Sequence, residues 1–297
     1  MRPLRLIVVL FLFVLLAVSA PARAATVWLS ASRVAQGQPL LVKACLGGKA
    51  ARRVLAKLGG CETVLVPGTG GCYFGAVAAD LRLKPGRRKL LVLADDRPVA
   101  GAVVRVLPKD YGVRRITVDP KFLRLRPQDL ARHKREMARQ HRVYGSLTPR
   151  RLWQGPFVRP VPGKVVGPFG RRSLINGQPR SPHGGVDLRA GRGEPIRATA
   201  SGRVALVDDT YFGGLVVLID HGQGLVSAYR HLSKALVKPG QMVAKGQVIG
   251  LVGSSGRVTG PHLHFDIHLG GARVDPLAWI KASRRLYRLM RAKRGES

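Results

Sequence analysis

The feature that most restricts the fold is a series of short apolar runs, each about one strand long, separated by glycine-rich turns. Through residues 156–280 these runs include "RVALVDD", "GLVVLIDHG" and "QVIGLVGSSG". They are too short for typical helices, and β-branched residues bounded by glycine favour strands. The sequence therefore predicts an all-β domain over residues 156–280.

A second group of strand-like runs lies nearer the N-terminus, in residues 25–107. "TVWLSAS", "PLLVKACL" and "KLLVLADD" alternate with turn residues, which is typical of a small β-sandwich. This region contains no histidine. We expect it to position, bind or inhibit rather than to catalyse. The chain as a whole is predicted to be mainly β.

Two basic segments complete the domain organisation. Residues 108–155 are predicted to be a basic, partly helical linker. They contain "PQDLARHKREMARQHRVYG", which is rich in helix-forming residues and predicts a helix that starts near Pro127 and ends at Gly145. Residues 281–297 form a basic tail, predicted to be either a short helix or a solvated end.

The N-terminus has the pattern of an export signal. Two arginines precede the apolar run 6–20, and Ala22 and Ala24 form a small-x-small cleavage pattern. Residues 1–24 are therefore predicted to be a signal peptide, with an uncleaved anchor as the alternative. Both readings place the rest of the chain outside the cytoplasm, in a periplasm or cell envelope.

The formal net charge of +35 restricts the partners. An exported chain is not expected to meet nucleic acid, so the charge favours an anionic envelope surface such as lipid head groups or lipopolysaccharide phosphates. A basic surface with no specific partner is the alternative. No motif indicates a small-molecule cofactor.

The three cysteines all lie in the N-terminal part of the chain. Cys61 and Cys72 flank the glycine-rich stretch "CETVLVPGTGGC", which could form a hairpin, so we predict a disulfide between these two. Sequence spacing does not fix the connectivity, so Cys45 remains a possible partner of either.

Histidines near the C-terminus carry the first chemical signal. In "TGPHLHFDIH", His262 and His264 are two residues apart, so on a strand both imidazoles point to one face. Two such imidazoles can serve one metal ion, or one can bind the metal while the other works on water. An H-x-H pattern by itself is weak.

Two further motifs precede that pair in the chain. In "SPHGGVDL", His183 and Asp187 are four residues apart and would share a face of an extended segment. Asp187 either ligates a metal or orients His183. In "SAYRHLS", His231 follows Tyr229 by two residues, which predicts that both lie on one strand face.

Taken together and in this order, the motifs resemble the lysostaphin-type, or LytM-like, family of zinc metallopeptidases. The resemblance covers residues 156–279 and extends to "NGQPRSPHGGVDLRA" and "VKPGQMVAKGQVIGLVGSSGRVTGPHLHFDI". It implies a lysostaphin-like β domain with a hybrid-motif core. It also implies a peptidoglycan endopeptidase that uses one zinc ion and a zinc-activated water.

The resemblance assigns roles to five residues of this chain. His183, Asp187 and His264 match the family's zinc ligands. His231 and His262 match its two catalytic histidines that do not bind the metal, and sequence does not say which is the base. No H-E-x-x-H motif supplies a glutamate base.

Other residues have supporting roles by position. Arg171, Asn176 and Tyr229 are expected to bind substrate. Asp266 and His268 continue the face of His264, either behind the metal ligands or in solvent. Asp220 and Asp275 are expected to fix turns, and His221 is expected to be structural.

Two competing functions remain open at this point. A catalytically silent regulator or activator of another wall hydrolase would share the same motifs, with the N-terminal domain blocking the groove or docking a partner. A biotinyl or lipoyl carrier would share "VKPGQMVAKGQVIGLV", but "YRHLS" stands where the modified lysine should be.

Overall fold

The computed structural model describes residues 24–48, 50–119 and 125–291, and in these the protein is mainly β, as predicted. The predicted signal peptide therefore lies almost entirely outside the described residues. Neither of the two described α-helices is long and apolar enough to cross a membrane.

The N-terminal strands form one hydrogen-bonded sheet in the order β1-β3-β6-β5-β4-β7-β8-β2. Gly59 and Gly60 connect β4 to β5 by a two-residue turn, and Gly59 has the positive φ that such turns require. The strands are β1 (Thr26–Leu29), β2 (Arg33–Ala35), β3 (Pro39–Cys45), β4 (Val54–Leu58), β5 (Cys61–Pro67), β6 (Cys72–Ala78), β7 (Gly86–Ala94) and β8 (Arg97–Leu107).

The disulfide joins Cys45 to Cys72, so the predicted Cys61–Cys72 pair is wrong. The reason is the strand order. β3 lies beside β6 with Cys45 opposite Cys72, whereas Cys61 begins β5 opposite Leu58. Cys61 is buried and its thiol donates a hydrogen bond to the carbonyl of Leu269, 3.1 Å away in the C-terminal domain.

The segment between the domains is attached to the C-terminal domain at both ends. Strand β9 (Val113–Ile116) pairs in parallel with β11 (Arg172–Ile175), which forms a hairpin with β12 (Gln178–Pro179). Helix α1 (Pro127–Tyr144) then packs against the main sheet, and Gly145 follows it as predicted.

The C-terminal sheet runs in the order β10-β13-β20-β17-β16-β15-β18, with β19 joining β17 to β14 and β21 pairing with β20. Its strands are β10 (Val165–Gly167), β13 (Val186–Leu188), β14 (Pro195–Arg197), β15 (Gly202–Thr210), β16 (Gly214–Asp220), β17 (Leu225–Ala235), β18 (Met242–Val243), β19 (Val248–Val252), β20 (Leu263–Leu269) and β21 (Ala272–Val274).

The chain from Pro276 to Arg291 is one helix, α2, whose first turn belongs to the C-terminal domain. Asp275 accepts hydrogen bonds from backbone N–H groups at its start, which agrees with the turn-fixing role expected. Leu286 and Met290 are buried against the N-terminal sheet. Residues 281–291 are therefore helical, one of the two forms predicted for this segment, and they contact the N-terminal sheet.

Candidate metal centre

Two neighbouring strands place the first pair of candidate ligands. Asp187 on β13 lies directly opposite His264 on β20. His183 precedes β13 and is held by its backbone, since its N–H donates to the carbonyl of Arg171 and its carbonyl accepts the N–H of Gly170. The structure therefore brings together three residues that are up to 81 positions apart in the chain.

The ligand atoms of these three residues converge on one point. Nε2 of His183 lies 3.1 Å from Oδ1 of Asp187 and 3.0 Å from Nδ1 of His264, and the last two atoms are 2.9 Å apart. Ligand atoms on a tetrahedral zinc ion with bonds of about 2.1 Å stand about 3.4 Å apart. The observed separations come within a few tenths of an ångström of that geometry.

The placement of protons favours a cation among these atoms. Nδ1 of His183 faces the carbonyl of Pro168 at 2.9 Å, and Nε2 of His264 faces Oδ2 of Asp266 at 3.5 Å. Because both partners are acceptors, each outer nitrogen carries the proton and each inner nitrogen presents a lone pair. Two lone pairs and a carboxylate oxygen facing one another fit a zinc ion, which would accept all three.

The charge state of Asp187 suits this role. Burial opposes ionisation of the carboxyl, but its contacts with the imidazoles of His183 and His264 hold the pKa of Asp187 well below its usual range. Glycines leave room around the cluster. A Cβ on Gly167 would lie 2.0 Å from Oδ2 of Asp187, and one on Gly185 would lie 2.8 Å from Nε2 of His264.

His231 reaches the site because the backbone of β17 is irregular there. Its φ of +66° lies in the left-handed region, and the pairing of β17 with β16 shifts register nearby. Its ring lies 5.0 Å from that of His262. Nδ1 faces the carbonyl of Ser255 at 3.0 Å, and burial lowers the pKa of His231 to about 4. The imidazole is therefore neutral near pH 7, with its Nε2 lone pair free.

His262 lies at the entrance to β20 and is oriented in the same way. Its Nδ1 faces the carbonyl of Gly260 at 2.9 Å, which leaves Nε2 as the acceptor. That Nε2 lies 3.7 Å from Oδ1 of Asp187. Two histidines, each with Nε2 as its acceptor atom, thus stand beside the three candidate ligands.

The structure changes one of the three substrate-binding predictions. Tyr229 is fully buried, and its hydroxyl oxygen accepts hydrogen bonds from the N–H of Thr199 and the hydroxyl of Ser227. The left-handed turn at His231 breaks the alternation that was expected to put both side chains on one face. Tyr229 therefore supports the core instead of lining a groove.

The amide of Asn176 binds the backbone of the segment after β9. Its Oδ1 accepts the N–H of Val118 and its Nδ2 donates to the carbonyl of the same residue. Asn176 thus fixes the segment after β9; it is exposed and keeps one N–H and one oxygen lone pair, so the substrate contact expected of it stays a prediction. Arg171 lies beside His183 through its backbone, and the substrate contact expected of its side chain stays a prediction.

Sequence reasoning missed the full extent of the polar network behind the ligands. Arg230 lies opposite His264 on β17, and its Nε donates to Oδ2 of Asp266 at 2.9 Å. Burial opposes ionisation of Asp266, but Arg230 holds the pKa of its carboxyl well below the usual range. Both Asp266 and His268 are buried, which decides against the solvated alternative. The two-residue spacing of His264, Asp266 and His268 was the sequence signal for this network.

Comparison with known proteins identifies the family. Residues 181–276 match the model of peptidase family M23. A crystal structure described as a putative peptidase M23 from Pseudomonas aeruginosa is 34% identical, covers 84% of this chain and 95% of its own, and has a TM-score of 0.67. The chain belongs to peptidase family M23. The resemblance to lysostaphin-type peptidases is thereby confirmed at the level of family and fold.

Curated relatives of this M23 protein match a shorter segment. The peptidoglycan DD-endopeptidase ShyA of Vibrio cholerae is 42% identical over 97 residues, which is 33% of this chain and 23% of ShyA. The murein hydrolase activator EnvC of Escherichia coli is 39% identical over 127 residues, which is 43% of this chain and 29% of EnvC. The chain thus covers about a quarter of the length of these relatives.

Proposed function

We propose that this M23 protein is an exported zinc-dependent endopeptidase that hydrolyses peptide cross-links of peptidoglycan. The observation that carries the proposal is the convergence of His183, Asp187 and His264, with three acceptor atoms facing one another about 3 Å apart. The similarity to ShyA supports peptidoglycan as the substrate. A cross-link between D-alanine and diaminopimelate is the expected bond in a Gram-negative periplasm.

His183, Asp187 and His264 would hold one zinc ion per chain. When bound, zinc supplies a Lewis acid that polarises the scissile carbonyl and lowers the pKa of water from about 16 toward about 7. Three protein ligands leave a coordination position for water or substrate, as in other catalytic zinc sites.

His231 and His262 would handle the protons of the reaction. Backbone carbonyls fix the Nδ1–H of each ring, so each Nε2 can accept a proton from the attacking water. Once protonated, the same nitrogen can donate to the oxyanion or to the departing amine. The ring of His231 is neutral near pH 7, because burial lowers its pKa to about 4.

Digestion of purified peptidoglycan sacculi tests the proposal. Residues 25–297 are incubated with sacculi, with and without a zinc chelator, and released muropeptides are identified by mass. Loss of cross-linked dimers with new peptide termini, abolished by chelator, is the expected result. Intact dimers with a zinc-loaded protein would overturn an endopeptidase activity.

The second candidate is a catalytically silent activator of another wall hydrolase. It is favoured by the similarity to EnvC, which covers more of this chain than the match to ShyA does. An activator would leave sacculi intact alone but would increase their digestion by a partner hydrolase. His264→Ala separates the two functions, because it should abolish cleavage by an enzyme and spare activation.

An anionic envelope surface remains a further proposed partner. Arg105 on β8 lies directly opposite Arg33 on β2 and, on its other side, opposite Arg87 on β7. All three side chains are exposed, and none forms an ion pair with a carboxylate in the described part of the chain. Like charges directly opposite on a sheet repel, so a phosphate-bearing surface would relieve this repulsion.

A further inference from the structure

Helix α1 contacts the C-terminal sheet through polar side chains. Its buried residues are Asp129, Glu136, Gln140 and Tyr144, which are spaced by seven, four and four positions and so follow one face. A helix on a protein surface usually buries an apolar stripe. Burying polar groups is costly unless each has a partner, so the partners of this stripe show what the helix holds in place.

Two residues near the end of α1 bind one arginine. Nη1 of Arg230 donates to Oε1 of Gln140 at 2.9 Å, and Nη2 donates to the hydroxyl of Tyr144 at 2.5 Å. The Tyr144 ring also stacks on His268, with ring centroids 3.6 Å apart. The guanidinium of Arg230 is therefore fixed from the linker side.

The same guanidinium fixes the carboxylate behind a candidate metal ligand. Nε of Arg230 donates to Oδ2 of Asp266 at 2.9 Å, and this oxygen faces Nε2 of His264 at 3.5 Å. His264 presents its Nδ1 lone pair to the metal site only while Nε2 carries the proton. A carboxylate held at that position selects this tautomer and ring orientation.

We propose that Gln140 and Tyr144 are positioning residues for the metal ligand His264, acting through Arg230 and Asp266. The proposal rests on the metal centre proposed above and extends it to the linker. Arg230 is long and flexible by itself, and all three of its nitrogens are engaged here. Two of these contacts come from α1, so α1 determines where the third points.

A purely structural role for α1 is the competing explanation. Other contacts also hold the helix to the sheet, since Arg139 forms an ion pair with Asp208 and Glu136 accepts the N–H of Tyr211. Neither contact involves Arg230 or Asp266, so neither is hydrogen-bonded through them to His264. A variant that breaks one of them loosens the helix without touching the Arg230 contacts.

The test compares two variants of the full mature chain. Gln140→Leu with Tyr144→Phe removes the two acceptors that α1 offers to Arg230, but it keeps the side-chain volumes and the stacking on His268. Arg139→Gln removes the ion pair with Asp208 and is the matched control. Zinc affinity is measured by competition with a chromogenic chelator, and Co²⁺ absorption spectra report the ligand geometry.

We expect the double variant to raise the Kd for zinc about 10-fold and to alter the Co²⁺ spectrum, as outer-shell partners of metal histidines commonly do. We expect the control to stay within about twofold of the wild type. Arg230→Met should weaken zinc binding at least as much, and adding the two α1 changes to it should have little further effect.

Either of two results would overturn the positioning role: unchanged zinc affinity in the double variant, or an equal loss in Arg139→Gln. Absence of zinc binding by the wild-type chain would overturn the metal centre and, with it, this inference. Zinc binding is measured without substrate, so a failure of the endopeptidase proposal alone leaves the test intact.

Discussion

Asp187 and His264 lie directly opposite each other on β13 and β20, with Oδ1 and Nδ1 2.9 Å apart. Their separation is therefore set by strand pairing, which is among the stiffest constraints in the fold. His183, by contrast, is held by a short loop through its contacts with Pro168, Gly170 and Arg171. Two ligands are thus fixed by the sheet and the third by the loop before β13.

Replacement of Asp187 tests whether these atoms bind metal. Asp187→Asn keeps the size of the side chain but removes the anionic ligand atom between the two histidines. We expect the Kd for zinc to rise by more than ~100-fold, since even outer-shell partners contribute about 10–100-fold. Competition with a chelator measures the loss. Asp209→Asn, at an exposed carboxylate, is the control and should bind zinc like the wild type.

Replacement of His231 separates proton transfer from metal binding. His231→Gln removes a neutral base but none of the three converging ligand atoms. We expect muropeptide release to fall about 10²–10⁴-fold with the Kd for zinc nearly unchanged. His141→Gln, an exposed histidine on α1, should leave both quantities unchanged. Full activity of His231→Gln would remove this residue from the mechanism.

The sequence predicted the convergence of His183, Asp187 and His264, because the motifs that contain them are local. "HGGVD" and "HLH" each contain metal-binding residue types at an even spacing, which puts them on one face of an extended segment. The β character of the chain follows from its short apolar runs. The predictions that failed depended on distant partners or on one backbone angle. Tyr229 lies on the core face of β17, whereas the positive φ of His231 turns the His231 side chain toward the site.

The failed disulfide prediction has the same origin. Cys61 and Cys72 are close in sequence, but the order of strands in the sheet places Cys45 beside Cys72. Strand order depends on which faces can be buried together across the whole domain, and spacing alone does not encode it. The polar face of α1 was similarly hidden, because its partner Arg230 comes 86 residues after Tyr144.

His221 should make stability depend on pH. It is fully buried, and burial lowers the pKa of its imidazole to about 4. The unfolded chain takes up a proton at this histidine near pH 6.5, whereas the folded chain does so only near pH 4. The unfolded state therefore binds more protons between these values, and stability falls as the pH falls from 6.5 to 4, by on the order of 3 kcal/mol.

Urea unfolding in the presence of chelator, at pH 7 and at pH 4.5, measures this effect. His221→Gln retains hydrogen-bonding groups toward Ser201 and Ser227 but has no ionisable ring. Its free energy of unfolding should drop less than that of the wild type between the two pH values. Equal drops would show that His221 does not carry the pH dependence.

The arginine row on the N-terminal sheet should bind an anionic surface. Arg105 is its centre, since Arg33 and Arg87 flank it. Arg105→Glu should weaken sedimentation with vesicles that contain anionic phospholipid and should have no effect with zwitterionic vesicles. Arg192→Glu, an exposed arginine in the C-terminal domain, makes the same charge change elsewhere. Equal losses in both variants would assign the binding to net charge alone.

Docking of the two domains can be followed through the thiol of Cys61. Burial raises the pKa of this thiol to about 12, and the sulfur lies 3.1 Å from the carbonyl of Leu269 across the contact between domains. A thiolate is the reactive form, so Cys61 should resist alkylation while the domains are docked. A change that separates the domains should expose it.

Two adjacent glycines supply a matched pair of variants for this measurement. Gly270 and Gly271 both have positive φ, so alanine strains the backbone at either. Only at Gly270 would the new Cβ collide with the N-terminal domain, 2.1 Å from the carbonyl oxygen of Glu62, whereas nothing lies within 4 Å at Gly271. We expect Gly270→Ala, and not Gly271→Ala, to accelerate labelling of Cys61.

The same pair tests what docking does to the proposed activity. If the N-terminal domain blocks the groove, Gly270→Ala should cleave sacculi faster than Gly271→Ala. If docking instead keeps the site assembled, Gly270→Ala should be slower. The second outcome is the one we expect, because Cys61 of the N-terminal domain contacts Leu269 at the end of β20, the strand that carries His264. Equal cleavage rates with faster Cys61 labelling would show that the site is independent of docking.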